Sequence, residues 1–224
     1  MSYLWDVSNT ISYNNRMGKY KFNFEYGFIN KFLIPNSKIL DVGGGSGRFA
    51  IPIHNLGYEI TVLDNNKEAL DILSNKNSQI QTVHCNFMEY KSDLKYDIIL
   101  AIEVLIYIND WDLFFSKIDN LLNNNGRFIF STINTHSWRF FLRKLYHRFN
   151  DHSYFKYHSL EDINSFLSKY TLKVETVEGF YWLPFKLNSN NLLIEFFIYI
   201  EKLLKLKKYI SQSPWLMISI IKNT

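Results

Sequence analysis

The sequence predicts an α/β fold in which a mostly parallel β-sheet is flanked by helices. Short apolar runs, typical of buried strands, alternate with segments of helical periodicity across residues 38–133. The run that begins at Tyr96 is almost continuously apolar, as a strand covered on both faces requires. A glycine-rich turn at residues 43–47 separates the first strand from a helix. Because strands joined by helices pair in parallel through right-handed crossovers, this pattern favours one continuous sheet.

The composition is that of an ordinary globular protein. Of the 224 residues 47% are hydrophobic and 21% are charged, which excludes disorder as the main state and fits a single domain over residues 1–224. A net charge of +4 is too small to predict nucleic-acid binding. A single cysteine, Cys85, excludes a disulfide framework and a four-cysteine zinc site, and no metal site is predicted. The N-terminal residues lack the pattern of a signal peptide, so a cytoplasmic location is expected.

Residues 38–50 combine the end of a strand, a glycine-rich turn and the start of a helix. The glycines allow backbone angles with positive φ and the close approach of a ligand to the peptide groups. Free N–H groups at the start of the helix would face that ligand. A plain structural turn is one alternative. A dinucleotide site is another, but it requires G-x-G-x-x-G, and after Gly43 and Gly45 the third position holds Arg48.

The pattern that remains is D-x-G-x-G-x-G, formed by Asp41, Gly43, Gly45 and Gly47. It resembles motif I of the class I S-adenosylmethionine-dependent methyltransferases. The resemblance implies S-adenosylmethionine as cofactor and these four residues as part of its site. It also implies a Rossmann-like sheet of seven strands in the order 3-2-1-4-5-7-6, with a helical cap on the acceptor side.

The same resemblance divides the chain into functional segments. Residues 171–183 and 214–221 become the sixth and seventh strands, an antiparallel pair with strand seven between strands five and six. The expected segments are an N-terminal lid and helix (1–35), a cofactor-binding core (36–133), acceptor-side helices with the sixth strand (134–212) and a C-terminal strand (213–224).

The second predicted strand, Glu59–Asp64, ends in an acidic residue roughly 20 residues after the glycine turn. A carboxylate at this place can accept hydrogen bonds from both hydroxyls of a ribose. N-capping of the next helix is the alternative role for Asp64, and Asn65 or Asn66 can share either role.

The third predicted strand, residues 79–85, is followed by Asn86 and Phe87. Similar methyltransferases usually carry an aspartate at the position of Asn86, where it contacts the adenine amino group. The amide oxygen can accept the same hydrogen bond without charge assistance, so weaker binding is expected. A turn asparagine is the alternative, and Phe87 is assigned to the same cofactor pocket. Cys85 is interpreted as a small apolar strand residue.

Residues 96–108 resemble motif IV of the ubiquinone-biosynthesis-like branch of the family. The chain keeps Asp97 and Glu103 but has Tyr107 in the region where that branch carries a histidine. The difference leaves the mechanism of proton removal open. Ile102 and Glu103 are assigned to the cofactor site. The N-P-P-[YF] signature of enzymes that methylate exocyclic amines is missing.

Helical periodicity predicts further helices at residues 21–33, 111–122 and 137–150, and another after an N-cap serine at Ser159. Asparagines at 123–125 predict a turn before the fifth strand. In similar methyltransferases the segment after strand five contacts the acceptor, so its basic residues are candidates to receive an anionic acceptor; a solvated helix face is the alternative. These residues are Arg139, Arg143, Lys144, His147 and Arg148.

Methyl transfer from a sulfonium needs alignment and exclusion of water, and no protein nucleophile. A base is required only if the acceptor loses a proton as it attacks. His136, which follows strand five, is the first candidate, and Tyr107, His152 and His158 are others. Each of them can equally be an ordinary polar loop residue.

Two further segments have open roles. Residues 1–20 lack a clear period and are expected to form a lid, in which Arg16 would meet a carboxylate or solvent. Residues 191–210 are strongly apolar with lysines at one end, but they are too interrupted to span a bilayer. They are expected to pack on the domain, to form a homodimer or to contact a membrane surface weakly.

Together these patterns predict methyl transfer from S-adenosylmethionine to a small-molecule or glycan-intermediate acceptor, at oxygen. An RNA or protein methyltransferase is one alternative, opposed by the mild charge and the missing N-P-P-[YF]. A catalytically silent S-adenosylmethionine-binding protein is another, suggested by Asn86 and Tyr107.

Overall fold

The computed structural model describes residues 14–146 and 159–223. Within them lie seven α-helices, labelled α1 (Arg16–Asn30), α2 (Ala50–Asn55), α3 (Lys67–Lys76), α4 (Trp111–Leu121), α5 (Trp138–Tyr146), α6 (Leu160–Leu167) and α7 (Leu193–Leu203). The strands are β1 (Lys38–Val42), β2 (Glu59–Asp64), β3 (Gln81–His84), β4 (Tyr96–Ala101), β5 (Leu122–Ile133), β6 (Leu172–Phe180) and β7 (Trp215–Lys222).

The seven strands form one sheet in the order β3-β2-β1-β4-β5-β7-β6, which confirms the predicted order. Strands β1 to β5 are parallel, whereas β7 runs antiparallel to both β5 and β6. Val42 at the end of β1 pairs with Leu63, and Asp41 pairs with Leu100 of β4. The carboxyl ends of the parallel strands therefore meet at one edge, where open α/β sheets bind their ligands.

The sheet separates two hydrophobic cores because neighbouring residues of a strand point to opposite faces. In β4, Ile98 and Leu100 belong to the core that includes residues of α1, α2, α3 and α7, whereas Ile99 belongs to the core formed with α4 and α6. Each fully buried aliphatic side chain of this kind contributes about 1.5–3 kcal/mol. Both faces of the sheet are thus fixed, and so is the edge that carries the loops.

The helix boundaries differ from the sequence prediction mainly in α1. This helix begins at Arg16, five positions before the predicted start, because the Asn15 side chain accepts a hydrogen bond from Gly18 N and caps it. Arg16 forms an ion pair with Glu195 of α7. The predicted N-cap at Ser159 is confirmed by a capping box with Asp162.

Two predicted segments have a different internal structure. The asparagine-rich turn is continuous with β5, and Asn125 takes up a left-handed conformation with φ 60° beside a register shift in the pairing with β4. The apolar segment 191–210 is not one helix, because α7 ends at Leu203 and Lys205 at φ 52° turns the chain before a short 3-10 turn. In the described ranges no helix is long and apolar enough to cross a membrane.

A buried hydrogen bond between Tyr20 and Glu201 joins helices α1 and α7. The Tyr20 hydroxyl lies 2.7 and 2.8 Å from the two carboxylate oxygens of Glu201, and it accepts a hydrogen bond from Tyr181 N at 3.0 Å. Burial raises the pKa of Glu201 to about 7, although the Tyr20 hydroxyl and Lys202 oppose the shift. The Glu201 carboxyl group is therefore partly protonated in the folded protein at neutral pH.

We expect Glu201→Gln to remove part of the pH dependence of stability. A folded-state pKa above the unfolded value gives stability that is fully present below pH 4.5 and is lost as the pH rises through about 7. The amide cannot ionise, so the variant should match the wild type at pH 4 and exceed its free energy of unfolding by about 2 kcal/mol at pH 8. Urea unfolding at both pH values measures this. Exposed Glu89→Gln is the control, and equal differences at both pH values would contradict the assignment.

Candidate active site

The glycine loop between β1 and α2 has the backbone conformation that the sequence predicted. Gly43 and Gly45 have φ values of 69° and 53°, a region that other residues rarely enter. A Cβ atom on Gly43 would lie 2.5 Å from Cγ2 of Val104, in the segment after β4. Gly47 N donates to the Gly44 carbonyl at 3.0 Å and closes the turn. The loop thus presents bare backbone at the edge where the strands end.

Asp64 connects this loop to the end of β2. Its carboxylate accepts hydrogen bonds from Gly45 N at 2.9 Å and from Asn66 N at 2.8 Å. Burial raises the pKa of Asp64, while these backbone donors and Asn65 N lower it. The N-cap of α3 is Asn66, whose side chain accepts from Ala69 N at 3.0 Å, so Asp64 does not cap that helix.

Asp41 lies buried beneath the loop at the end of β1. A Cβ atom on Gly44 would approach Asp41 Oδ2 to 2.5 Å, so only glycine lets the loop pass over this carboxyl group. Burial raises the pKa of Asp41 to about 7; Arg48 lowers it and Asp64 raises it further. Asp41 therefore places a buried carboxyl group directly beneath the loop.

The segment after β3 contains Asn86 and Phe87. Asn86 Oδ1 accepts a hydrogen bond from Met88 N at 2.9 Å, which is the predicted turn arrangement, and the residue is otherwise exposed. Phe87 is 5% exposed and its ring centroid lies 5.0 Å from that of Phe114. Phe87 therefore packs in the core, whereas Asn86 is exposed.

The segment after β4 is held to the site by its backbone and by charge. Ile102 is buried, and Glu103 has a φ of 64°, which is unusual for a residue with a side chain. Glu103 N donates to Ser131 Oγ at 2.8 Å. The Glu103 carboxylate pairs with Lys21 Nζ at 2.8 Å and with Arg48 Nη1 at 2.7 Å. These contacts connect β4 to α1 and to the residue after the glycine loop.

Two buried residues, Lys21 and Glu25, and two partly buried ones, Arg48 and Glu103, form a group that we call the ionic cluster. Glu25 is fully buried, 3.9 Å from Lys21 Nζ and 3.7 Å from Arg48 Nη1. Burial raises the pKa of Glu25 to about 7, and the two cations oppose the shift. Lys21 Nζ also stands 4.1 Å from the ring centroid of Trp215. Two cations and two carboxyl groups thus balance beside the loop.

The two described candidate bases lie at the same edge of the sheet. His136 follows β5, is 61% exposed at its side chain, and has Nδ1 3.8 Å from Glu161. Tyr107 follows β4 in a 3-10 turn and is 56% exposed. Neither side chain is buried in the site as it stands. His152 and His158 lie outside the described residues.

Arg139, in the first turn of α5, is a half-buried cation beside the ionic cluster. Its guanidinium donates to the carbonyls of Phe185 at 3.2 Å and Tyr181 at 3.5 Å, and it stacks 4.8 Å from the Tyr181 ring. Burial lowers the pKa of this group. None of these contacts of Arg139 with the described residues involves a carboxylate. Arg143 and Lys144 also belong to α5, whereas His147 and Arg148 lie outside the described residues.

Comparison with known proteins assigns the family. A model of a methyltransferase domain matches residues 19–177, which is most of the chain. The chain belongs to this family. The methyltransferase is 26% identical over 199 residues to a ubiquinone biosynthesis O-methyltransferase of Rickettsia typhi, covering 81% of the chain and 78% of the relative. Family and fold confirm the predicted enzyme class, a class I methyltransferase with S-adenosylmethionine as methyl donor.

Solved structures share the fold of the methyltransferase at low sequence identity. A magnesium protoporphyrin IX methyltransferase from Synechocystis superposes with a TM-score of 0.68 at 14% identity, covering 92% of this chain and 84% of that one. An S-adenosylmethionine-dependent methyltransferase from Mesorhizobium loti gives a TM-score of 0.65 at 17% identity, covering 88% of this chain and 97% of that one. The similarity extends to the helices outside the parallel core.

Sequence reasoning missed the ionic cluster of the methyltransferase. Lys21 and Glu25 are four residues apart and share one helix face, a signal that the apolar periodicity of α1 concealed. In the sequence analysis Arg48 was considered only because it occupies the position of the third glycine in a dinucleotide-binding motif. Its role as a partner of Glu103 depends on a contact between residues that are distant in sequence.

Proposed function

We propose that the methyltransferase transfers a methyl group to an oxygen atom of a small-molecule acceptor. The observation that carries this proposal is the similarity, over about four fifths of the chain, to relatives named ubiquinone biosynthesis O-methyltransferases. Their name supplies the oxygen and the small-molecule class. The glycine loop and Asp64 supply the site in which this chemistry would take place.

The residues at the loop fit S-adenosylmethionine. A Cβ atom on Gly43 would collide with Val104, and one on Gly44 would collide with Asp41. The loop backbone at these two positions therefore carries no side chain. Asp64 accepts hydrogen bonds from Gly45 N on one oxygen and from Asn66 N on the other, with Asn65 N as a further donor, and the ribose hydroxyls would bind to the remaining lone pairs. We assign to the same cofactor site the residues Asp41, Gly45, Gly47, Asn65, Asn86, Phe87, Ile102 and Glu103.

When bound, S-adenosylmethionine supplies an activated methyl group on a sulfonium. The chain has to align the acceptor and receive the proton that an attacking hydroxyl group loses. His136 is our first choice for this base, because it follows β5 at the edge of the sheet that carries the glycine loop. Tyr107, after β4, is the second choice. Both side chains are exposed, so a bound acceptor would have to cover them.

The charge of the site favours an acceptor with an anionic group. The described partners of Arg139 include two backbone carbonyls, aromatic rings and the Tyr181 hydroxyl, and none of them is a carboxylate. A half-buried guanidinium of this kind can form a bidentate pair with a carboxylate or phosphate. The Tyr181 ring lies between Arg139 and Lys21, at 4.8 and 5.9 Å, so the anionic end of the acceptor would lie close to the ionic cluster. A sugar-containing acceptor satisfies the same requirement if it carries phosphate.

The acceptor is identified by incubating native cell extract with the protein and S-adenosylmethionine labelled with deuterium at its methyl group. Mass spectrometry should find the label on oxygen in a small molecule, and the Asp64→Ala variant serves as the inactive control. Label recovered only in RNA or protein would contradict the proposal. A labelled small molecule without negative charge would contradict the role given to Arg139.

We expect Asp64→Ala to abolish cofactor binding. The change removes the acceptor of two ribose hydroxyls, and each hydrogen bond to a charged group contributes about 1.5–3 kcal/mol, so affinity should fall at least about 100-fold. Calorimetric titration with S-adenosylhomocysteine measures the loss. Asp71→Ala, on the exposed face of α3, is the control. Because Asp64 also holds Gly45 N, Asp64→Asn tests the loop separately and should retain part of the affinity. An unchanged calorimetric affinity of Asp64→Ala for S-adenosylhomocysteine would contradict the assignment of Asp64 as the ribose ligand.

We expect Asn86→Asp to strengthen cofactor binding. A carboxylate can keep the hydrogen bond from Met88 N and accept the adenine amino group with charge assistance, a gain of about fivefold in affinity. Asn77 is a matched control, because its Oδ1 accepts from Gln79 N at 3.0 Å in the same local geometry away from the loop. Equal cofactor affinities for Asn86→Asp, Asn77→Asp and the wild type would contradict a contact between Asn86 and the adenine and would limit Asn86 to its role in the turn.

A further inference from the structure

Helix α7 presents an apolar stripe to solvent. Its members are spaced so that 3.6 residues per turn brings them onto one line of the helix surface. We define the apolar stripe as Leu192 (75% exposed), Phe196 (57%), Tyr199 (61%) and Leu203 (61%). Large apolar side chains are common singly on protein surfaces, but a continuous row of four marks a contact site.

The rest of the protein holds the apolar stripe facing outward. On the opposite side of α7, Ile194 is fully buried and Glu201 is hydrogen-bonded to Tyr20. The ring of Phe197 packs 5.6 Å from that of Phe185. Because the helix is fixed along its inner face, it cannot rotate to bury the stripe in its own core.

Exposed lysines follow the apolar stripe directly. Lys207 pairs with Glu178 at 2.9 Å, but within the described ranges Lys202, Lys205 and Lys208 form no ion pair. The left-handed turn at Lys205 folds this segment back at the end of α7. The surface therefore combines an apolar row with three exposed lysines that form no described ion pair.

We propose that the apolar stripe and Lys202, Lys205 and Lys208 form a docking surface for an anionic lipid membrane. Apolar and aromatic side chains of such a helix insert at the headgroup level, while lysines meet anionic headgroups. No helix in the described part of the chain can span a bilayer, so the contact is with the membrane surface. The proposal concerns where the enzyme binds and is independent of the identity of its acceptor.

Charge argues against a second copy of the chain as the partner. A two-fold contact through the stripe places the helices either parallel or antiparallel. In the parallel case the two sets of lysines meet each other. In the antiparallel case each set meets the positive N-terminal end of the partner helix, where Glu195 is already paired with Arg16. Both arrangements are repulsive, whereas an anionic surface neutralises the lysines.

Co-sedimentation of the full chain with vesicles tests the proposal. Vesicles of phosphatidylcholine containing phosphatidylglycerol should bind the wild type, and vesicles of phosphatidylcholine alone should bind it much more weakly. Phe196→Ser/Tyr199→Ser and Lys202→Gln/Lys205→Gln/Lys208→Gln should each lower the vesicle affinity at least about tenfold. Raising the salt concentration should weaken the binding of the wild type and have a smaller effect on the triple lysine variant.

Matched controls distinguish binding through this surface from nonspecific binding and from the effects of misfolding. Leu56→Ser/Leu94→Ser removes two equally exposed apolar side chains, and Lys38→Gln/Lys91→Gln/Lys173→Gln removes three exposed lysines elsewhere. Both controls should bind vesicles as the wild type does, and every variant should keep its calorimetric affinity for S-adenosylhomocysteine. Absence of wild-type binding to anionic vesicles overturns the proposal. So does a dimer in sedimentation velocity that Phe196→Ser/Tyr199→Ser dissociates.

Discussion

The hydrogen bond from Gly45 N to Asp64 is the constraint on which the candidate site depends. It fixes the glycine loop against the end of β2 at 2.9 Å, and the parallel register of β1 and β2 brings the two together. The loop can pass over Asp41 only because Gly44 lacks a side chain. One carboxylate therefore organises the backbone donors of two βα connections. The surface left over is an open stretch of peptide backbone beside an anion, which suits a ligand with hydroxyl groups.

Buried charge makes α1 a part of the same site. Burial of Glu25 and Lys21 would be costly for either residue alone, so each is stable only with the other and with Arg48 and Glu103 nearby. The left-handed conformation at Glu103 places its carboxylate between the two cations. Displacement of α1 would leave these charges without partners. The N-terminal helix is thus coupled to the loop through electrostatics as well as through packing.

The sequence allowed correct prediction of elements and caps whose pattern lies within a few neighbouring residues or repeats along the chain. Glu59–Asp64 was predicted with its observed bounds because Gly57 precedes the apolar run and an acidic residue ends it, and Ser159 was predicted as a cap from its acidic neighbours. The order of β6 and β7 came from family resemblance. The ionic cluster and the link between Tyr20 and Glu201 were missed, since their residues are brought together only by tertiary packing. The start of α1 was missed because its cap is one asparagine in an asparagine-rich stretch.

The position of β7 has a consequence for how the chain reaches its native state. This strand is the last to be synthesised, yet it lies inside the sheet and is the only described neighbour of β6. Until residues 215–222 are available, the edges of β5 and β6 stay unpaired, and closing them requires contacts across almost half of the chain. Such non-local pairing is slow and leaves strand edges open to association. Synthesis of residues 215–222, and not formation of the parallel core, is therefore the step after which the sheet can close.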